Sequence, residues 1–119
     1  MTEPREPSRR ETFVIQNRLG LHARAAALFV QTVAPLDVDV MVSKSGETVN
    51  GKSIMGLMML AAGKGSSIDV EARGPAAEEA MRAIGALIGD KFREPERVIF
   101  GSGRDQVASV RLIRYLKEV

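Results

Sequence analysis

Residues 12–90 predict an α+β fold: a two-layer open-faced sandwich, with a four-stranded antiparallel sheet carrying three helices on one face. Three observations lead there. Strand-like stretches alternate apolar with polar residues, so each strand has one wet side. Helix-like stretches repeat apolar residues at spacings of three and four. The two kinds follow one another as β-α-β-β-α-β-α, and strands wet on one side need covering on the other side only.

The elements follow in order. Residues 1–11 hold two prolines among charged and small polar neighbours, which predicts a disordered lead. Thr12 to Gln16 is rich in β-forming residues and reads as the first strand. From Ala26, the apolar residues Phe29, Val30 and Val33 mark a helix that Pro35 stops. Val38, Val40 and Val42 alternate with Asp37, Asp39 and Met41 as a strand. Lys44-Ser45-Gly46 turns it, and Glu47 to Asn50 returns as the hairpin partner. Ser53 then caps a short, glycine-interrupted helix over Ile54 to Leu60. After a Gly63-Lys64-Gly65 loop, Ile68, Val70 and Ala72 alternate with Asp69, Glu71 and Arg73 as the last strand. Gly74-Pro75 opens the last helix, with Glu78 and Glu79 facing the positive end of its dipole. Its inward stripe is Ala77, Ala80, Met81, Ile84, Leu87 and Ile88, and Gly89 is its expected stop.

Composition narrows the function. A chain of 119 residues is most simply one domain with a modest core. It has no cysteine and one histidine, which argues against disulfides and a structural zinc site. The first eleven residues lack an apolar segment, so they do not read as a secretory signal, and no run is long enough for a membrane span. A cytoplasmic protein is the expectation. The net charge of +2 arises after residue 92, without the dense basic stripe that nucleic acid requires. Nor does any strand carry an aromatic-basic stacking pattern.

Any histidine chemistry must fall to His22, in Gly20-Leu21-His22-Ala23-Arg24-Ala25-Ala26 at the mouth of the first helix. A neutral imidazole is a nucleophile that can take up and hand on a phosphoryl group. Such a transfer needs in-line approach and charge stabilisation more than it needs a base. The first helical amides, at about Ala23 to Ala25, have no internal partners and point at an incoming anion. Arg24 adds a permanent charge and a forked donor. Alone, His22 would read as an exposed cap residue and Arg24 as a solvated charge set against the dipole. A visiting anion explains both.

Three strings in order resemble HPr, the histidine phosphocarrier family of the bacterial phosphoenolpyruvate-dependent phosphotransferase system. GLHARAA at 20–26 resembles the family's active-site segment, VNGKSIMGLMML at 49–60 its regulatory-serine segment, and AAGKGSSIDV at 61–70 the loop and strand that follow. The similarity spans about Thr12 to Phe92, so 12–92 is read as the HPr-like domain and 93–119 as an extension. The family usually has proline where this chain has Ala25, which predicts a small loss of rigidity and no loss of chemistry.

The resemblance implies a stoichiometric carrier rather than a turnover enzyme, with no cofactor of its own. Phosphorylated enzyme I would donate to His22, and enzyme IIA-type proteins would accept in sugar uptake. It implies attachment at Nδ1, although the residues themselves leave the nitrogen open. It adds regulatory phosphorylation of Ser53 by an HPr kinase/phosphorylase, beside the capping role that is worth ~1 kcal/mol. Met55 and Met58, three apart, are either core filler or an adaptable docking patch, and the resemblance favours the patch. The alternative function is a regulatory binding module of the nitrogen-related branch, controlling target proteins without transporting sugar. In the extension, Glu94-Pro95-Glu96 reads as a linker, Arg97 to Phe100 as a short strand, and residues from Arg104 as an amphipathic helix.

Overall fold

A computed structural model describes residues 7–95. They form β1 (Ser8–Val14), α1 (Ala23–Val33), β2 (Asp39–Lys44), β3 (Glu47–Asn50), α2 (Ile54–Met59), β4 (Ser67–Arg73) and α3 (Ala77–Gly89), closed by a tight turn over Lys91–Arg93. The sheet order is β1-β4-β2-β3, and every neighbouring pair is antiparallel. The α+β open-faced sandwich is thus as the alternation predicts. Because β4 lies between β1 and β2, those two run parallel and α1 is their crossover. By the same logic α2 is the crossover from β3 to β4.

The core lies between sheet and helices. Ile68, Val70 and Ala72 of β4 and Val40 and Val42 of β2 point one way, onto Phe29, Val33, Leu57, Ile84 and Ile88, all buried. All six residues of the expected α3 stripe are buried. At the hairpin, Ser45 and Gly46 both take positive φ, as the tightest antiparallel turns require.

Two expectations need correction. The lead does not stay free of structure up to Glu11: β1 starts at Ser8, and Ser8 to Glu11 pair with Arg73 to Val70. These residues show no apolar alternation because the backbone ladder holds them at a sheet edge, with little side-chain burial. At the other end, the strand stops at Val14 rather than Gln16, though Ile15 still donates its N–H to Ser66 O at 2.9 Å. The last helix does stop at Gly89, as expected. Asp90 is the C-cap, and the left-handed conformation falls on Lys91, Phe92 and Arg93. The expected strand at 97–100 and the helix from Arg104 lie outside the described residues. Among the described residues no helix is long and apolar enough to cross a membrane.

Candidate functional site

The site is built where β1 runs out and the chain loops into α1. Gly20 sits at φ +67°, packed so closely on the α2–β4 connection that an added Cβ would lie 2.3 Å from Ala62 O and 2.8 Å from Gly63 Cα. Leu21 N donates to Ala62 O at 2.9 Å, and its side chain is buried. The loop is therefore clamped immediately before the histidine, which limits how far the ring can wander.

His22 is the N-cap of α1, with an extended backbone. Its Nδ1 accepts the Arg24 N–H at 3.3 Å, so this nitrogen faces the unpartnered amides at the helix start. The first intrahelical bond, Ala26 N to His22 O at 2.9 Å, leaves the amides of Ala23, Arg24 and Ala25 outside the helical ladder. The ring is partly open, with 28% of the side chain exposed. Arg24 is half-buried in the first turn, and Ala25 is fully buried. Sequence and structure agree that the imidazole opens a helix and that the arginine stands in its first turn.

Ser53 caps α2, its Oγ accepting the Gly56 N–H at 3.0 Å. The six-residue helix behind it buries only Leu57. Met55 is 70% exposed and Met58 40%, so neither is core filler. Ile54 and Met59 on the same helix are also exposed, as is Leu19 in the loop before His22. These three are exposed apolar side chains in addition to the two methionines that the sequence singled out. The signal was available: a helix this short cannot bury every apolar residue between Ile54 and Leu60.

One residue of the site escaped the sequence. The linker expected at Glu94-Pro95-Glu96 does not begin at Glu94, whose side chain is 8% exposed and folded under the histidine loop. Glu94 Oε1 accepts Arg18 N–H at 2.8 Å, and Oε2 accepts Leu19 N–H at 3.3 Å and Asn17 Nδ2 at 2.9 Å. The same Oε2 lies 3.5 Å from His22 Nε2. Asn17, fully buried, also donates from Nδ2 to Gly20 O at 2.8 Å, which fixes its amide orientation. The two ring nitrogens thus meet opposite partners: a donor amide at Nδ1 and a carboxylate at Nε2. Among the described residues no cluster of His, Cys, Asp or Glu has the makings of a metal site.

Residues 9–90 match the family model described as "PTS HPr component phosphorylation site". Phosphocarrier protein HPr of Neisseria meningitidis serogroup A is 51% identical over 87 residues, which cover 73% of this chain and 98% of that protein. The Cupriavidus necator phosphocarrier protein HPr is 49% identical over 87 residues, covering 73% of this chain and 97% of its own length. Among solved structures, HPr-C-His from Thermoanaerobacter tengcongensis superposes with a TM-score of 0.70 at 44% identity, covering 72% of this chain and 97% of that one. Fold and sequence together define a phosphoryl-carrying component of the phosphoenolpyruvate-dependent phosphotransferase system. Within that system, the chain belongs to the HPr family of phosphocarrier proteins.

Proposed function

We propose that His22 is the phosphoryl acceptor of this carrier, that Nδ1 forms the bond, and that Arg24 stabilises the bound phosphoryl group. The observation that carries this reading is the Arg24 N–H resting on Nδ1 of a partly exposed ring. In the neutral imidazole one nitrogen bears the proton and the other accepts, so an N–H donated to Nδ1 goes with a proton on Nε2. The nucleophilic lone pair is then already directed at the helix mouth. As the Nδ1–P bond forms, the bond from phosphorus to the donor breaks and its electron pair leaves with the donor. The amide that had held the lone pair is free to donate to a phosphoryl oxygen, beside the amides of Ala23 and Ala25. Transfer onward reverses each step.

Phosphorylated enzyme I is the donor on this reading, and enzyme IIA-type proteins are the acceptors in sugar uptake, in the cytoplasm. The exposed surface of Met55 and Met58, with Ile54 and Met59 on the same helix, is the docking face, because flexible side chains fit several partners. Ser53 is the site of regulatory phosphorylation by an HPr kinase/phosphorylase, where a phosphoryl group would face the same Gly56 amide that the hydroxyl caps. The carrier unit comprises Ser8 to Glu94, wider at both ends than the 12–92 expected from sequence.

Incubation with phosphoenolpyruvate, enzyme I and magnesium, followed by mass spectrometry, tests the reading. Acid-labile phosphate on wild type and Ser53→Ala, and none on His22→Ala, is the expected result. An unlabelled wild type with an active donor, or label surviving in His22→Ala, would overturn it.

A further inference from the structure

We propose that Glu94 is a positioning residue for phosphoryl transfer: its carboxylate holds the Nε2 proton of His22, which leaves Nδ1 as the nucleophile, and then offsets the positive charge of the phosphorylated ring. This rests on the assignment of His22 as acceptor.

The geometry is specific. Three donors reach the Glu94 carboxylate: two backbone N–H groups, from Arg18 and Leu19, and the Asn17 side-chain amide. That is a cradle for an acceptor-only group. The cradle is rigid because Asn17 is buried and Gly20, to which Asn17 also donates, is clamped on Ala62. The carboxylate is delivered from the other side by a short rigid tether. Phe92, two residues earlier, is 1% exposed, and Lys91, Phe92 and Arg93 form a left-handed turn. The carboxylate is thus fixed from both sides independently of the histidine, and the ring lies between it and the Arg24 amide.

The consequence follows from counting protons. Before transfer the neutral ring carries one proton, on Nε2. The Nδ1 lone pair forms the bond to phosphorus, the donor keeps the electron pair of the broken bond, and no proton moves. The ring is now a cation whose remaining N–H faces Glu94 Oε2. The 3.5 Å separation is long for a hydrogen bond in the resting state, and it tightens once the ring is charged. The same proton makes the imidazole a good leaving group when the acceptor attacks phosphorus. A cation is stabilised by a neighbouring carboxylate, so the proton persists on the phosphorylated ring to higher pH with Glu94 than without it.

The test uses full-length protein with 15N-labelled histidine, phosphorylated by phosphoenolpyruvate and enzyme I. Phosphoryl attachment is read from 31P–15N coupling, and loss of the Nε2 proton from the phosphorylated ring is followed against pH. In Glu94→Gln the midpoint should fall by more than about 0.3 pH unit. Glu94→Ala should fall at least as far, and the pH profile of phosphohistidine hydrolysis should move with it in both variants. A purely structural role would lower stability without moving these midpoints. The wild type alone supplies a second reading, since the Glu94 carboxyl carbon shift should track the ring titration. Midpoints within about 0.3 unit of wild type in both variants, a Glu94 shift blind to the ring, or phosphoryl attachment at Nε2 would overturn the proposal. Absence of phosphoryl on His22 in the wild type would instead remove the reading on which it rests.

Discussion

Gly20→Ala is the sharpest perturbation that this fold offers, because one methyl group attacks the clamp under the histidine loop. The residue is left-handed, which costs a residue bearing a Cβ about 1–2 kcal/mol. The Cβ would also meet Ala62 O at 2.3 Å and Gly63 Cα at 2.8 Å, both backbone atoms that no rotamer change relieves. The loop must then lift by about 1 Å to restore an ordinary van der Waals separation. Lifting breaks the Leu21 N–H to Ala62 O bond, a net loss of about 1 kcal/mol. It also begins to expose the Leu21 side chain, whose full burial is worth about 1.5–3 kcal/mol. The expected destabilisation is about 3–4 kcal/mol, large against a typical total of 5–15 kcal/mol. Urea titration of wild type and variant, followed by circular dichroism, measures it. Because His22 and the amides of Arg18 and Leu19 ride on the same loop, the folded fraction should also accept phosphoryl groups more slowly. A variant within 1 kcal/mol of wild type and phosphorylated at the wild-type rate would refute the clamp.

Three further outcomes are expected. Phe92→Ala should cost about 3–5 kcal/mol in the same titration, since the ring is among the largest fully buried side chains. Ser53→Ala removes the Gly56 N–H acceptor and should cost about 1 kcal/mol, leaving phosphorylation at His22 intact in a mass spectrum. Met55→Lys changes an exposed site, so stability should stay within about 0.5 kcal/mol. Its apparent affinity for phosphorylated enzyme I should fall, read as a raised half-saturation concentration in the transfer assay.

What the sequence disclosed follows from where burial leaves a periodic trace. The α3 stripe and the alternation of β2 and β4 are written in apolar spacing, because those faces meet the core. The two caps were legible for a different reason: a polar side chain directly before an apolar helical run is itself a start signal. His22 and Ser53 both proved to be N-caps. The polar half of β1 left no trace, since Ser8 to Glu11 are held by main-chain bonds to an edge that any side chain tolerates. Glu94 was illegible for a third reason. It meets Asn17 across 77 residues of chain, and a long-range polar contact has no period to betray it. The turn that brings it there is made by lysine, phenylalanine and arginine, whereas local rules look for glycine at left-handed positions.

That turn raises the question of why three L-residues in succession hold a conformation that disfavours each by about 1–2 kcal/mol. Such a segment persists only when its surroundings over-determine it. One anchor is Phe92, whose burial returns about 1.5–3 kcal/mol. A second lies beyond it, in the hydrogen bonds that Asn17, Arg18 and Leu19 donate to Glu94, each worth about 1.5–3 kcal/mol to an ionised acceptor. Phe92 alone does not offset the strain, and the two anchors together exceed it. The buried ring and the carboxylate at the histidine are therefore energetically coupled through the backbone between them. Phe92→Ala should accordingly loosen Glu94 as well as the core, and Glu94→Ala should lower the cost of Phe92→Ala in a double-mutant cycle by at least about 0.5 kcal/mol. If the two losses in stability simply add, the turn is held in some other way, and the carboxylate is not kept at the ring by the fold.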